Sequence, residues 1–248
     1  MDQLIVGIDC ATDDAKIGLA LAERRGAKTT IRQATICARE SSAADTVAGW
    51  LRGSAGPILL AIDAPLGWPI EMGRQLASHR AGQAIPVEPN LLFRRATDRF
   101  IQATVGKTPL DVGADRIART AHAAGRLLGQ LRQSLIQPIP LAWTIDLAQV
   151  SAIEVYPAAT LAANGIRSSG YKKPSQGQER LEIIRPLSRW IDCKACLSDL
   201  EANADVLDSA VCVLAAVDFL EGRAVGPTDA ALAEHEGWIW VRRKNGGA

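Results

Sequence analysis

The 248-residue chain is poor in several features that would have identified its class at once. No charge sign is in real excess, because 28 Lys and Arg face 27 Asp and Glu for a net +1. A polybasic coat and a polyacidic tail are thereby excluded, while a local basic groove is not, since binding responds to where charges sit. No apolar run approaches the roughly 18 residues of a membrane-spanning helix. Met1-Asp2-Gln3 puts no basic stretch ahead of Leu4-Ile5-Val6, so a secretory signal is not expected and a cytoplasmic protein away from membranes is. Aromatic residues amount to 4%, too few for an extended base-stacking platform. The three histidines, His79, His122 and His235, are isolated, and five cysteines make an odd number that does not suit a disulfide framework. Cys193 and Cys196 form one C-x-x-C pair without the second pair that a structural zinc wants, so a structural role is expected for it. Cys10, Cys37 and Cys212 lie in apolar stretches and read as small buried hydrophobes. Gly106-Lys107-Thr108 lacks the first glycine of a phosphate loop, with Ile101 in its place. Neither a G-x-S-x-G elbow nor an H-E-x-x-H motif occurs.

The residues that are present describe a globular α/β chain, with 48% hydrophobic and 22% charged residues. Leu4 to Ile8 reads as a strand buried on both faces, followed by strands over 16–22 and 29–37. The short connections favour an antiparallel meander. A helix over 43–52 and a buried strand over 58–62 come next. From 71 to 140 no run resembles a buried strand, and a long helix is expected over 115–135; the segment reads as a helical insertion or lid within one domain spanning 1–248. Beyond it are a strand over 150–156, a helix after Pro157, a polar loop over 168–177, a helix over 178–191, a long helix near 203–221 and a short strand over 238–241. Charge is unevenly spread. Residues 90–133 carry eight bases and three acids, whereas 192–236 carry ten acids and two bases.

Asp9, Asp63 and Glu154 share a peculiarity, for each stands in or at the end of an apolar run. Burying a lone polar group costs roughly 2–7 kcal/mol, and a charge more, so three such acids suggest a gathering around a cation. Asp205 and Asp208, at i, i+3 near the start of a helix, face one way and add two more. Oxygen ligands without His or Cys suit Mg²⁺ or Mn²⁺ rather than zinc. Ions held in this way can drive phosphodiester cleavage. Arg94 and Arg95 are candidate phosphate anchors, with pairing to Asp98, Glu88 or the acidic C-terminal third as the other use of the same charges. Lys172 and Lys173 read as a solvated loop, and Trp68 as a residue to test at the rim of the site.

In order along the chain, Gly7-Ile8-Asp9-Cys10-Ala11, Ala61-Ile62-Asp63-Ala64-Pro65-Leu66-Gly67, Phe93-Arg94-Arg95-Ala96-Thr97-Asp98, Glu154-Val155-Tyr156-Pro157, Asp205-Val206-Leu207-Asp208-Ser209-Ala210 and Glu236-Gly237-Trp238-Ile239 carry a resemblance to a known family. The chain resembles the domain of unknown function 429 family, described as predicted nucleases of the RNase H-like superfamily. The resemblance implies an RNase H-like mixed sheet, with an antiparallel three-strand meander plus parallel strands, flanked by helices. It implies Asp9 as a first-strand acid bridging metals, Asp63 as the fourth-strand acid, and Asp208, with Asp205, as the acid of the last helix. Glu154 falls in a family motif and joins the catalytic candidates. The expected cofactor is Mg²⁺ or Mn²⁺ and the expected substrate a nucleic acid or nucleotide. Actin-like ATPases and sugar kinases share the superfamily's first strand, Asp and phosphate loop. Asp9-Cys10-Ala11-Thr12 keeps Thr12 as a candidate phosphate contact but places Ala where that loop wants Gly. A phosphotransferase, and a non-catalytic binding module on the same shell, are therefore the alternatives.

Overall fold

The computed structural model describes residues 2–38 and 40–243. β1 (Gln3–Asp9), β2 (Gly18–Arg25) and β3 (Lys28–Ile36) form the meander, and α1 (Ala43–Leu51) leads into β4 (Ile58–Asp63). Four helices follow: α2 (Ile70–Leu76), α3 (Pro89–Phe93), α4 (Ala96–Val105) and α5 (Ile117–Leu135). Then come β5 (Val150–Glu154), α6 (Pro157–Ala163), α7 (Gly177–Leu187), β6 (Ile191–Asp192), α8 (Leu197–Ala202), α9 (Ala204–Leu220) and α10 (Ala230–Glu236). The fold is α/β, with one mixed six-stranded sheet in the order β5-β4-β1-β2-β3-β6. Only β2 runs against the others. Among the described residues no helix is long and apolar enough to cross a membrane.

Strand alternation sorts the two faces. Ile5, Leu59, Ala61 and Ile153 join the core beneath α9, whereas Val6, Ile8, Leu60 and Ile62 join the core beneath α1 and α5. The central strands are buried on both sides, which is why they read as continuous apolar runs. α9 is apolar almost all round because it lies against β1, β2, β3 and β4 and is covered by α6, α7 and α8. α5 presents Ala123, Ala124, Leu127, Leu128 and Leu131 to the other face and packs beside α1. The segment expected to be an insertion is thus helical, but its longest helix is part of a core layer.

Two differences concern strands. β6 forms where a helix was expected to continue to Ile191, and it is only two residues long, too short for periodicity to reveal. The strand expected over 238–241 is reduced to isolated bridges, Ile239 beside Glu154 and Arg242 opposite Ala224. β5 is five residues long and its outer edge is already bridged by Leu141 at Ala152, so little edge remains to pair. Cys193 and Cys196 flank a turn of 3-10 helix and are both buried as free thiols, with burial the main cause of their raised pKa values.

Candidate active site at the ends of β1 and β4

β1 and β4 run parallel in a register that sets Asp9 beside Asp63 at their C-terminal ends. Alternation puts Asp9 on the same face as Ile5 and Gly7, and Asp63 on that of Leu59 and Ala61, so both acids look toward α9. The helix can come close because two sheet positions lack side chains. A Cβ on Gly7 would strike the Ser209 carbonyl, and one on Gly18, the partner of Asp9 across the ladder, would strike that of Asp205. The start of α9, with Asp205 and Asp208, is thereby laid over the strand ends. Asn203 caps this helix by accepting from the N–H groups of Asp205 and Val206, so neither aspartate is used up as the cap.

Asp9 and Asp63 keep part of their surface open. Burial, then the charge of Asp63, holds the Asp9 carboxyl well above the usual carboxylate range, with Asp205 adding to the shift and Lys172 opposing it. Asp63 is pushed up to about 7, chiefly by burial, against the attraction of Lys172 and a hydrogen bond from Asp9. Two carboxylates confined together cannot both ionise cheaply, and either a proton or a cation relieves them.

Asp208 is buried, and its carboxylate is occupied on both oxygens. Tyr171 donates its hydroxyl to Oδ1 at 2.8 Å, and the Lys172 ammonium pairs with Oδ2. The lysine reaches in from the loop that reads as a solvated one in the sequence. That loop is clamped by Arg180, whose guanidinium is 1% exposed and donates to backbone carbonyls of Tyr171, Lys173, Pro174, Glu201 and Ala202. A buried arginine without a carboxylate partner, spent entirely on carbonyls, fixes where Lys172 enters. Cys10 and Cys212 lie close by, and burial, then the Asp63 charge, pushes the Cys10 thiol up to about 12 and raises that of Cys212. Both thiols are buried, which disfavours the thiolate that a nucleophile needs.

Glu154 and Arg95 border the same hollow as Asp63 but are engaged with each other, not with the acid pair. Glu154 has the parity of Val150 and Ala152, so it points to the other face of the sheet from Asp9 and Asp63. There it takes two bonds from the Arg95 guanidinium, at 2.7 and 2.8 Å, and one from the Leu66 N–H at 2.9 Å. Arg95 also donates to both oxygens of Asp98 and to the Glu236 carbonyl. It is buried with every donor filled, so none is left for a substrate phosphate. Glu236 receives the N–H groups of Ile70 and Ala96, so the network pins the starts of α2 and α4. Arg94 is spent on Asp111 and Gln102. Thr12 lines an open cleft beside α5. Trp68 is exposed, three residues past Pro65.

These donors suit a metal ion only in part. Among the described residues no group of three or more His, Cys, Asp or Glu is arranged to hold an ion. The Asp9–Asp63 pair nevertheless has the hard-oxygen chemistry of a magnesium site, and Mg²⁺ is commonly held by one or two carboxylates with water and substrate phosphate completing its shell. The residues fit an ion that arrives with its substrate and do not fit a preformed cage.

Compared with known proteins, the chain matches no curated protein and no solved structure. A family model described as "Protein of unknown function (DUF429)" matches residues 7–232, which takes in Asp9, Asp63, Lys172 and Asp208 alike. The chain belongs to the DUF429 family.

Proposed function

We propose that the chain is a divalent-metal-dependent phosphodiesterase acting on a nucleic acid or nucleotide, on an RNase H-like fold. One observation carries this reading: Asp9 and Asp63, in register on adjacent parallel strands, face the same way beneath the acidic start of α9. The meander β1-β2-β3, the helix after it and parallel β4 beside β1 support the fold assignment. A protein that meets the expense of two abutting carboxylates at a partly open strand edge has a use for a cation there.

A bound Mg²⁺ or Mn²⁺ would supply Lewis-acid stabilisation of the charge that builds on the phosphate oxygens. Asp9 and Asp63 would hold it. In the hydrolysis, a water oxygen bonds to phosphorus and gives its proton to solvent, while the P–O bond to the leaving oxygen breaks and that oxygen takes a proton from solvent. Lys172 offers a positive charge to a non-bridging phosphate oxygen, and Tyr171 with Asp208 orients that ammonium. Arg180 holds the loop, so Lys172 meets the phosphate without a search. Glu154 and Arg95 take no part in the chemistry and keep α2 and α4 in place.

The test is incubation of purified protein with Mn²⁺ and labelled single- and double-stranded DNA and RNA. Cleavage by the wild type, abolished in Asp9→Asn and in Asp63→Asn, is expected. No cleavage of any substrate, or equal cleavage by these variants, overturns the reading.

A further inference from the structure

Beside the acid pair, α5 carries Arg119, His122 and Arg126 at i, i+3 and i+7, on the face opposite its buried alanines and leucines. The three exposed side chains line a cleft of about 350 Å³ whose far wall includes Thr12, three residues past Asp9. Arg126 lies 3.7 Å from Asp14, a loose exposed pair, and is near enough to Cys10 to act on its thiol. The Arg119 and His122 side chains are exposed, and among the described residues neither side chain makes an ion pair or hydrogen bond. A cationic wall that faces a threonine and is only partly neutralised suits an anion.

A second hollow, of about 180 Å³, lies on the other side of the same helix end. Pro65, Leu110, Ile117 and Tyr156 form its apolar side, and Asp63 with the paired Glu154, Arg95 and Asp98 its polar side. Ile117 opens onto this hollow while Ala118 and Arg119 open onto the first. The first turn of α5 therefore stands between a basic cleft and a pocket with an apolar, aromatic side, with the ends of β1 and β4 reaching one each. A ligand filling both carries negative charge on one side and a planar apolar group on the other. Arg119 and Arg126 are separated by about 10 Å of helix rise, further than one phosphate group spans. Two phosphates of one strand can each meet one of these arginines, the long flexible side chains making up the difference in spacing.

We propose that the Arg119–His122–Arg126 face of α5, with Thr12, is a binding site for the phosphodiester backbone of a single nucleic-acid strand, whose base lodges against Tyr156. The inference names the substrate of the phosphodiesterase reading and rests on it for the direction in which the strand runs. It also accounts for the basic middle of the chain, since Arg94 and Arg95 are spent internally.

Its test measures binding without cleavage. A short fluorescein-labelled single-stranded oligodeoxynucleotide is titrated in EDTA across a range of salt concentrations, followed by anisotropy. The wild type binds with affinity that falls with salt. Arg119→Gln with Arg126→Gln binds more weakly, and the slope of log affinity against log salt falls in magnitude by roughly 1.4, about 0.7 for each single-strand phosphate that is no longer neutralised. Arg25→Gln with Lys28→Gln, an equal charge change at the β2–β3 turn, at the opposite end of the strands from Asp9, leaves affinity and slope in place. No binding by the wild type, or binding and slope unchanged in the α5 variant, overturns the proposal. Equal displacement by ADP also overturns it, by assigning the cleft to a free nucleotide. Retained binding without Mn²⁺-dependent cleavage counts against the hydrolytic reading alone. Cleavage of a small phosphodiester such as bis(p-nitrophenyl) phosphate without strand binding counts against this inference alone.

Discussion

Replacing Asp63 by Asn makes the site less capable and the protein more stable, and pH tells the two effects apart. The Asp63 carboxyl moves from 3.8 to about 7 on folding. A carboxylate whose folded pKa is raised contributes its stability fully below the unfolded pKa, and loses it as pH rises toward the folded one. The loss therefore runs between pH 3.8 and about 7. About three units at 1.36 kcal/mol each would be about 4 kcal/mol, and since Asp9 and Asp63 titrate against one another we assign about half, or about 2 kcal/mol, to Asp63. For a domain of this size that is roughly 4–8 °C in melting temperature. Thermal melts in EDTA at about pH 8 should show Asp63→Asn melting above the wild type by that amount, with the gap closing toward about pH 4. A variant that melts below the wild type at both ends, or a gap indifferent to pH, would refute the idea that the pair is strained by charge.

Arg95→Met should destabilise by about 3–5 kcal/mol in denaturant unfolding, because it strands Glu154 and Asp98 in the core, whereas a peripheral arginine would cost far less. Gly7→Ala should lower the melting temperature and reduce activity together, since its methyl group meets the Ser209 carbonyl and pushes the start of α9 away from Asp9; full activity in that variant would contradict the close-approach argument. Ile136 is 91% exposed in the left-handed conformation that ends α5, so Ile136→Gly should stabilise by about 1–2 kcal/mol, read from urea midpoints. Arg180→Gln should lower turnover through Lys172 while Mn²⁺ affinity holds, and Lys172→Ala combined with it should be no worse than Lys172→Ala alone.

Asp9 and Asp63 were visible in the sequence because an acid closing an apolar strand is conspicuous whatever the topology. Glu154 looks identical by that criterion and belongs elsewhere. What separates it is pleat parity once β4 and β5 are in register, and register is a property of pairing rather than of either strand. Arg95 shows the same limit from the other side: its neighbours Arg94 and Arg99 are partly exposed, and nothing local marks the middle arginine for burial. Lys172 was hidden by a polar loop whose rigidity comes from Arg180, eight residues on, bonding to carbonyls that any sequence would supply. The one available signal was Tyr171, an aromatic residue in an otherwise polar stretch. The meander and the long helices were legible because their apolar periodicities are long, whereas two-residue β6 and the bridges near Ile239 arise only from tertiary contact.

The most direct measurement is the thermal shift produced by Mn²⁺ at neutral pH in the wild type, Asp9→Asn and Asp63→Asn. If two strand-end carboxylates await a cation, the ion raises the wild-type melting temperature and leaves both variants where they were. An identical response in all three, or none in the wild type even with an oligonucleotide present, would contradict it.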